Sequence, residues 1–194
     1  MTTPSVDVSS SVSNAPQTTN AIFLVGFMGA GKTSVGRALA RDLGWEFVDL
    51  DERIVARVGR SVAAIFTEDG EAAFRRLEHD ELRSLISELH LGNKVVSLGG
   101  GTWAQPSNVD LLKGASLPVI FLDAPVEELW QRCKSQQGLR PLLKKERDFR
   151  DLYSVRSSAY PNGTLRVETH ERSIEEVARH IALLLGLAGN PRTT

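Results

Sequence analysis

Residues 23–39 read FLVGFMGAGKTSVGRAL, which places four glycines, a lysine and a threonine between an apolar run and a stretch with helical periodicity. From Gly26 onward the segment satisfies the pattern G-x-x-x-x-G-K-[ST] of a phosphate-binding loop. In such a loop the backbone N–H groups and the start of the following helix face the phosphates of a nucleotide. The lysine contacts the β and γ phosphates, and the threonine hydroxyl contacts Mg²⁺. The predicted nucleotide-binding residues are Gly29, Ala30, Gly31, Lys32, Thr33 and Ser34.

The rest of the chain alternates short apolar runs with longer amphipathic stretches, a pattern typical of repeated βαβ units. Apolar residues recur with helical spacing over 32–43, 70–90 and 174–185, which predicts three amphipathic helices. Parallel strands joined by right-handed helical crossovers form a three-layer α/β/α sandwich, whose ligands bind beyond the carboxyl ends of the strands. Five parallel strands are predicted, in the segments AIFLVG (21–26), EFVDL (46–50), KVVSLG (94–99), PVIFLD (118–123) and TLRVET (164–169).

The composition of the 194 residues favours one globular domain in a reducing compartment. The formal net charge of −1 offers no basic field for nucleic acid or an anionic membrane, and no run approaches the ~20 apolar residues of a membrane-spanning helix. A single cysteine, Cys133, excludes an internal disulfide, which favours the cytoplasm. We expect a disordered tail over 1–20, a P-loop domain over 21–186 and a flexible tail over 187–194.

Two carboxylates follow the second predicted strand, in the segment DLDERI. Asp49 and Asp51 lie two residues apart, so one can hold Mg²⁺ through its waters while the other accepts a hydrogen bond from an attacking hydroxyl. The alternative is a pair of solvated acids near the favourable dipole end of a helix.

Arg75 and Glu78 lie three residues apart on one face of a predicted helix. The carboxylate could fix the direction of the guanidinium for a bidentate contact to an acidic substrate. The alternative is an ion pair on the helix surface, where such pairs are common.

A glycine triplet follows the third predicted strand, and a basic segment, QQGLRPLLKKER, follows the helix after the fourth. Close approach of the backbone to a ligand explains three successive glycines better than a flexible turn does. Residue types suited to binding therefore follow several of the predicted strands, where the carboxyl-end rule requires them.

Six motifs occur in register: GFMGAGKT, DLDERI, GRSVAAIF, DGEAAFRRLE, VVSLGGGT and RPLL. In this order and at these intervals they resemble shikimate kinases, from about residue 22 to about residue 185. The resemblance implies a P-loop fold of the nucleoside-monophosphate-kinase type and ATP-dependent phosphorylation of the 3-hydroxyl of shikimate, in aromatic amino acid biosynthesis. Shikimate 3-phosphate and ADP are the implied products, and Mg²⁺ is the implied cofactor. We expect a monomer whose partners are the small molecules ATP and shikimate.

The resemblance also implies roles for individual residues. Asp49 corresponds to the aspartate beside the Mg²⁺, which Thr33 also contacts, and Asp51 corresponds to the aspartate that binds the ring hydroxyls of shikimate. Arg75 would grip the substrate carboxylate, with Glu78 as its orienting partner. The implied catalytic residues are Lys32, Asp51 and Arg140.

Further implied contacts come from later motifs. The triplet Gly99, Gly100 and Gly101 would pack its backbone against the substrate, and Arg156 would complete the carboxylate clamp. Arg140, in a lid over about 135–150, would reach the transferring phosphate, and Arg132 would stack on adenine.

Two other functions compete with this one. A gluconate kinase shares the phosphate-binding loop and takes a carboxylate-bearing polyol, but the D-x-D and F-R-x-x-E motifs argue against it. A nucleotide-binding module without catalysis belongs to a different class. Proteins of this class usually lose the lysine, an aspartate or the lid arginine. This chain keeps them, which favours an enzyme; they are Lys32, Asp49, Asp51 and Arg140.

Overall fold

The computed structural model describes residues 19–135, 145–160 and 164–187. These residues form five strands and eight α-helices, with 3₁₀ turns at Leu89–Leu91 and Thr102–Ala104. The strands are β1 (Ala21–Val25), β2 (Glu46–Asp49), β3 (Lys94–Ser97), β4 (Val119–Asp123) and β5 (Leu165–Glu168). The helices are α1 (Lys32–Leu43), α2 (Leu50–Val58), α3 (Val62–Glu68), α4 (Glu71–Ser87), α5 (Pro106–Gly114), α6 (Val126–Ser135), α7 (Glu146–Ser157) and α8 (Ile174–Leu184).

All five strands are parallel and form one sheet in the order β2-β3-β1-β4-β5. Every residue of the central strand β1, AIFLV, is buried, because layers of helices cover both faces of the sheet. In the edge strand β5, LRVE, only Val167 is buried. The predicted five-stranded parallel sheet is therefore confirmed, and the number of apolar residues in each of these two strands reflects its position in the sheet.

Helices flank the sheet on its two faces. The first helix, α1, packs against β2, β3 and α8, so α1 and α8 share one face. Right-handed crossovers put the helices that connect β2 to β3, β3 to β4 and β4 to β5 on the other face. The helices predicted over 32–43, 70–90 and 174–185 are confirmed as α1, α4 and α8. No helix in the described part of the chain is long and apolar enough to span a membrane.

The strand order determines which loops meet. Strands β3 and β4 flank β1, so the chain leaves β1 toward one side of the sheet and later returns to its other side. At such a switch point, the loops at the carboxyl ends of neighbouring strands open a crevice for ligands. The loops after β1, β2 and β3 therefore lie side by side, and they contain the phosphate-binding loop, the paired aspartates and the glycine triplet.

Candidate active site

The loop between β1 and α1 has the backbone conformation that the glycine pattern predicts. Gly29 and Gly31 have φ angles of 82° and 89°, in the left-handed region that favours glycine. Gly31 is the N-cap of α1, so Lys32 begins the helix at its positive dipole end. The Lys32 Nζ donates hydrogen bonds to the carbonyl oxygens of Gly26 (2.9 Å) and Phe27 (3.2 Å). The ammonium group therefore lies against the loop that would hold the phosphates.

Asp49 links the start of α2 to the start of α1. Its Oδ1 accepts hydrogen bonds from the backbone N–H groups of Asp51 (3.1 Å) and Glu52 (3.4 Å), which caps α2. Its Oδ2 accepts a hydrogen bond of 3.2 Å from the Thr33 hydroxyl. Asp49 therefore combines the two predicted roles. One oxygen caps helix α2, and the other accepts a hydrogen bond from Thr33, the residue predicted to contact Mg²⁺.

These oxygens fit a magnesium ion. Mg²⁺ prefers oxygen ligands, and proteins usually hold it through one or two side chains while phosphates and water complete the octahedron. Thr33 and Asp49 provide such a pair beside the phosphate-binding loop. Within the described ranges, no group of three or more His, Cys, Asp or Glu residues is arranged to hold a metal by itself. The residues thus suit an ion that arrives with a nucleotide.

Arg75 lies directly against the glycine triplet. A Cβ built on Gly101 would stand 2.6 Å from Arg75 Nη2, so the guanidinium occupies the space that a side chain there would need. Arg75 donates to Glu78 Oε2 (3.0 Å) and to Glu71 Oε1 (3.0 Å). The predicted contact to Glu78 is present, and this is not a surface ion pair, since the side chains of Arg75 and Glu78 are 15% and 0% exposed.

Glu78 is a buried carboxylate held between two donors. Besides Arg75, the hydroxyl of Thr102 donates a hydrogen bond of 2.5 Å to its Oε1. Burial raises the pKa of Glu78, and the negative charge of Asp51 adds to this, while Thr102 and Arg75 act in the opposite direction. The carboxylate therefore depends on these two donors for its ionised form.

Asp51 approaches the same triplet from α2. A Cβ on Gly99 would stand 2.9 Å from Asp51 Oδ1 and 3.1 Å from Glu78 Oε1. Glycine at this position therefore lets two carboxylates from different helices converge on one point of the backbone. The structure brings Asp51 to the same triplet as Arg75, as the predicted substrate site requires.

Gly100, the middle residue of the triplet, lies close to α7 and to the phosphate-binding loop. A Cβ on Gly100 would lie 3.5 Å from Arg156 Nη1 and 3.8 Å from the carbonyl oxygen of Gly26. The buried Tyr160 donates a hydrogen bond of 2.7 Å to the Gly100 carbonyl oxygen. The aspartate and arginines proposed for the substrate therefore surround a triplet whose middle residue lies close to the loop proposed for the phosphates.

Arg132 touches the phosphate-binding loop from α6. Its Nη1 donates to the Gly29 carbonyl oxygen (3.4 Å) and the Thr169 hydroxyl (3.2 Å), and its Nη2 donates to the Thr169 carbonyl oxygen (3.0 Å). It also forms an ion pair with Glu128, which holds His170 Nδ1 at 2.6 Å and thereby raises the pKa of that imidazole. Stacking of Arg132 on adenine stays a prediction.

Known proteins resemble this chain along most of its length. The family model described as "Shikimate kinase" matches residues 28–185. The shikimate kinase of Persephonella marina is 39% identical over 161 residues, covering 82% of this chain and 95% of the relative. That of Geobacter sulfurreducens is 42% identical over 164 residues, covering 83% and 88%.

The chain belongs to the shikimate kinase family.

Solved structures agree with this membership. The shikimate kinase from Acinetobacter baumannii in complex with shikimate superposes with a TM-score of 0.79 at 36% identity, covering 89% of this chain and 97% of that one. A gluconokinase from Sinorhizobium meliloti 1021 reaches a TM-score of 0.55 at 21% identity, covering 86% and 91%, which supports the shared fold alone. As a shikimate kinase family member, the chain is a phosphotransferase with a hydroxyl acceptor.

Arg140, the catalytic arginine that the family motif RPLL implies, lies outside the described residues. Of the predicted lid over about 135–150, the structure describes Ser135, Lys145 and the first residues of α7. The role of Arg140 stays a prediction.

Three contacts of the candidate site were not predicted from the sequence. Glu71 and Glu128 each lie four residues before the arginine that they hold, so their helical spacing was a signal that could have found them. Thr102 lies 24 residues from Glu78 on another element, and no local spacing indicates that contact.

We predict that Gly101→Ala weakens shikimate binding without unfolding the kinase. The new methyl group would stand 2.6 Å from Arg75 Nη2 and push aside the end of a flexible side chain. We expect the KM for shikimate to rise about tenfold, because a small displacement of a positioning group has large kinetic costs. Steady-state kinetics would measure this. The matched control is Gly114→Ala, at the end of α5, where a Cβ would meet nothing within 4 Å; equal KM values for both variants would contradict the prediction.

Proposed function

We propose that this chain transfers the γ-phosphoryl group of ATP to the 3-hydroxyl of shikimate, with Mg²⁺, in aromatic amino acid biosynthesis. Family membership supports this activity. The observation that carries the site assignment is the convergence of Arg75 and Asp51 on the Gly99–Gly101 triplet, whose middle residue lies close to the carbonyl oxygen of Gly26. Substrate carboxylate, ring hydroxyl and phosphoryl group then occupy one crevice.

Each side of the crevice has its own task. Arg75, aimed by Glu78, and Arg156 bind the carboxylate of shikimate, and this orients the ring. Asp51 accepts a hydrogen bond from the attacking hydroxyl, which directs the oxygen in line with the γ-phosphorus. Phosphoryl transfer proceeds through a loose transition state, so it requires positioning and positive charge more than a strong base.

The donor side supplies the positive charge. The backbone N–H groups of the phosphate-binding loop and the Lys32 ammonium bind the β and γ phosphates. Thr33 and Asp49 would hold Mg²⁺, which neutralises charge on the phosphate oxygens when it is bound. Arg140, which the family motif RPLL implies, would contact the transferring phosphate and add positive charge there.

A coupled assay of ADP release tests the proposal. Purified protein with ATP and Mg²⁺ should release ADP only when shikimate is present, and gluconate in its place should give none. ADP release with gluconate would favour the hypothesis of a gluconate kinase. Nucleotide binding by calorimetry without turnover of any hydroxy acid would instead favour a non-catalytic binding module.

We further propose a cytoplasmic monomer with a domain over 21–186; the predicted tails over 1–20 and 187–194 lie almost entirely outside the described residues. The net charge of −1 and the single cysteine support the compartment and the absence of a nucleic acid partner. Sedimentation of the full chain tests the monomer: a dimer's mass at micromolar concentration would overturn it.

A further inference from the structure

A buried chain of polar groups stands behind the glycine triplet. Glu78, Thr102 and Asn108 are each 0% exposed, and they come from α4, the 3₁₀ turn after the triplet and α5. The Thr102 hydroxyl donates to Glu78 Oε1 (2.5 Å), and Asn108 Nδ2 donates to the Thr102 carbonyl oxygen (3.2 Å). Buried polar groups that are all hydrogen-bonded make a rigid arrangement, and this one ends on the carboxylate that holds Arg75.

The two oxygens of Glu78 have different partners. Oε2 accepts from Arg75 Nη1 at 3.0 Å, while Oε1 accepts from Thr102. A carboxylate held at one oxygen can rotate about its terminal bond, because that torsion is soft. Held at both oxygens, its plane is fixed, and so is the direction in which it pulls the guanidinium.

The backbone of Thr102 is anchored independently of its hydroxyl. Its N–H donates to the Gly99 carbonyl oxygen (3.0 Å), and its own carbonyl oxygen accepts from Asn108. The fold of the turn therefore does not need the hydroxyl, which serves the contact to Glu78.

We infer that Thr102 is a positioning residue for substrate binding, which acts by fixing the carboxylate of Glu78 so that Arg75 points at the carboxylate of the acceptor. The inference rests on the proposed function and adds a residue to it. Burial raises the pKa of Glu78, and the hydrogen bond from Thr102 opposes that rise, so Thr102 favours the ionised carboxylate that pairs with Arg75.

The test compares Thr102→Val with Thr102→Ser in the full-length protein. Valine keeps the shape of the side chain and removes the donor, so we expect the KM for shikimate to rise about tenfold while the KM for ATP stays unchanged. Serine restores the hydroxyl and should recover most of the loss. Calorimetric titration with ATP verifies that each variant is folded and binds nucleotide. Equal KM values for shikimate in the wild type and Thr102→Val would overturn the inference.

A double-mutant cycle separates positioning from simple support of the fold. If Thr102 acts through Arg75, then Thr102→Val should cause no further loss of kcat/KM for shikimate in an Arg75→Ala background. Additive losses would overturn the inference. Wild-type protein in the same assay tests the proposed function separately. If the wild type does not turn over shikimate, the proposed function and the role of Thr102 both fail. If the wild type turns over shikimate and Thr102→Val is unaffected, only the role of Thr102 fails.

Discussion

Lys32→Ala is expected to lower kcat about a thousandfold, because the developing charge on the transferred phosphoryl group loses the ammonium group of the phosphate-binding loop. Nζ lies within 2.9 Å of the Gly26 carbonyl oxygen and 3.2 Å of the Phe27 carbonyl oxygen, so the ammonium group lies at the loop itself. Alanine has a higher helix propensity than lysine, and the first turn of α1 should persist. The coupled assay of ADP release at saturating ATP and shikimate measures the effect.

The control for this variant is Lys113→Ala, which removes an exposed lysine near the end of α5. It should retain wild-type kcat. Calorimetry with shikimate should give the same affinity for Lys32→Ala as for the wild type, because the acceptor side of the crevice is untouched. A loss of kcat below tenfold would show that Lys32 does not serve the transferred phosphate.

The fold could be predicted from the sequence because its elements carry strong local signals. The central strand β1 reads AIFLV, an unbroken apolar run, since both of its faces are covered. The loop after it needs glycine at Gly29 and Gly31, where φ is positive, and the pattern of glycines marks that turn in the sequence. Strand order is not local information, and the order β2-β3-β1-β4-β5 was not predicted from the sequence.

The site was predictable where a residue type indicates its own chemistry. Arg75 and Glu78 are three residues apart, and the glycine triplet indicated close approach of the backbone. The sequence did not indicate which group lies against the triplet. In the structure, Gly101 leaves room for the guanidinium of Arg75, which comes from helix α4. The contact of Thr102 with Glu78 depends on tertiary packing, so no periodicity reveals it.

Arg75→Ala is expected to weaken shikimate binding about a hundredfold while the affinity for ATP stays within about twofold, because a carboxylate loses a charge-assisted, bidentate partner. The guanidinium also stands 5.4 Å from the ring centre of Phe74 and 5.9 Å from that of Phe66, and these contacts hold it in place against Gly101. Calorimetric titrations with each ligand measure the two affinities. The control is Arg76→Ala, an exposed neighbour on the same helix, which should change neither.

Loss of stability could mimic loss of the clamp, and Glu78 distinguishes the two. Burial raises its pKa, and Arg75 opposes that rise, so removing Arg75 raises the pKa further and favours the neutral carboxyl. A folded-state pKa above the unfolded value means that the free energy of unfolding falls as the pH rises from 4.5, the ordinary value, through the folded-state pKa, and then stays constant. The double variant Arg75→Ala/Glu78→Gln replaces the buried carboxyl group, which would otherwise be left without Arg75, by a neutral amide. It should therefore recover thermal stability at neutral pH without recovering shikimate affinity. Recovery of both would mean that Arg75 supports the fold and does not bind the substrate.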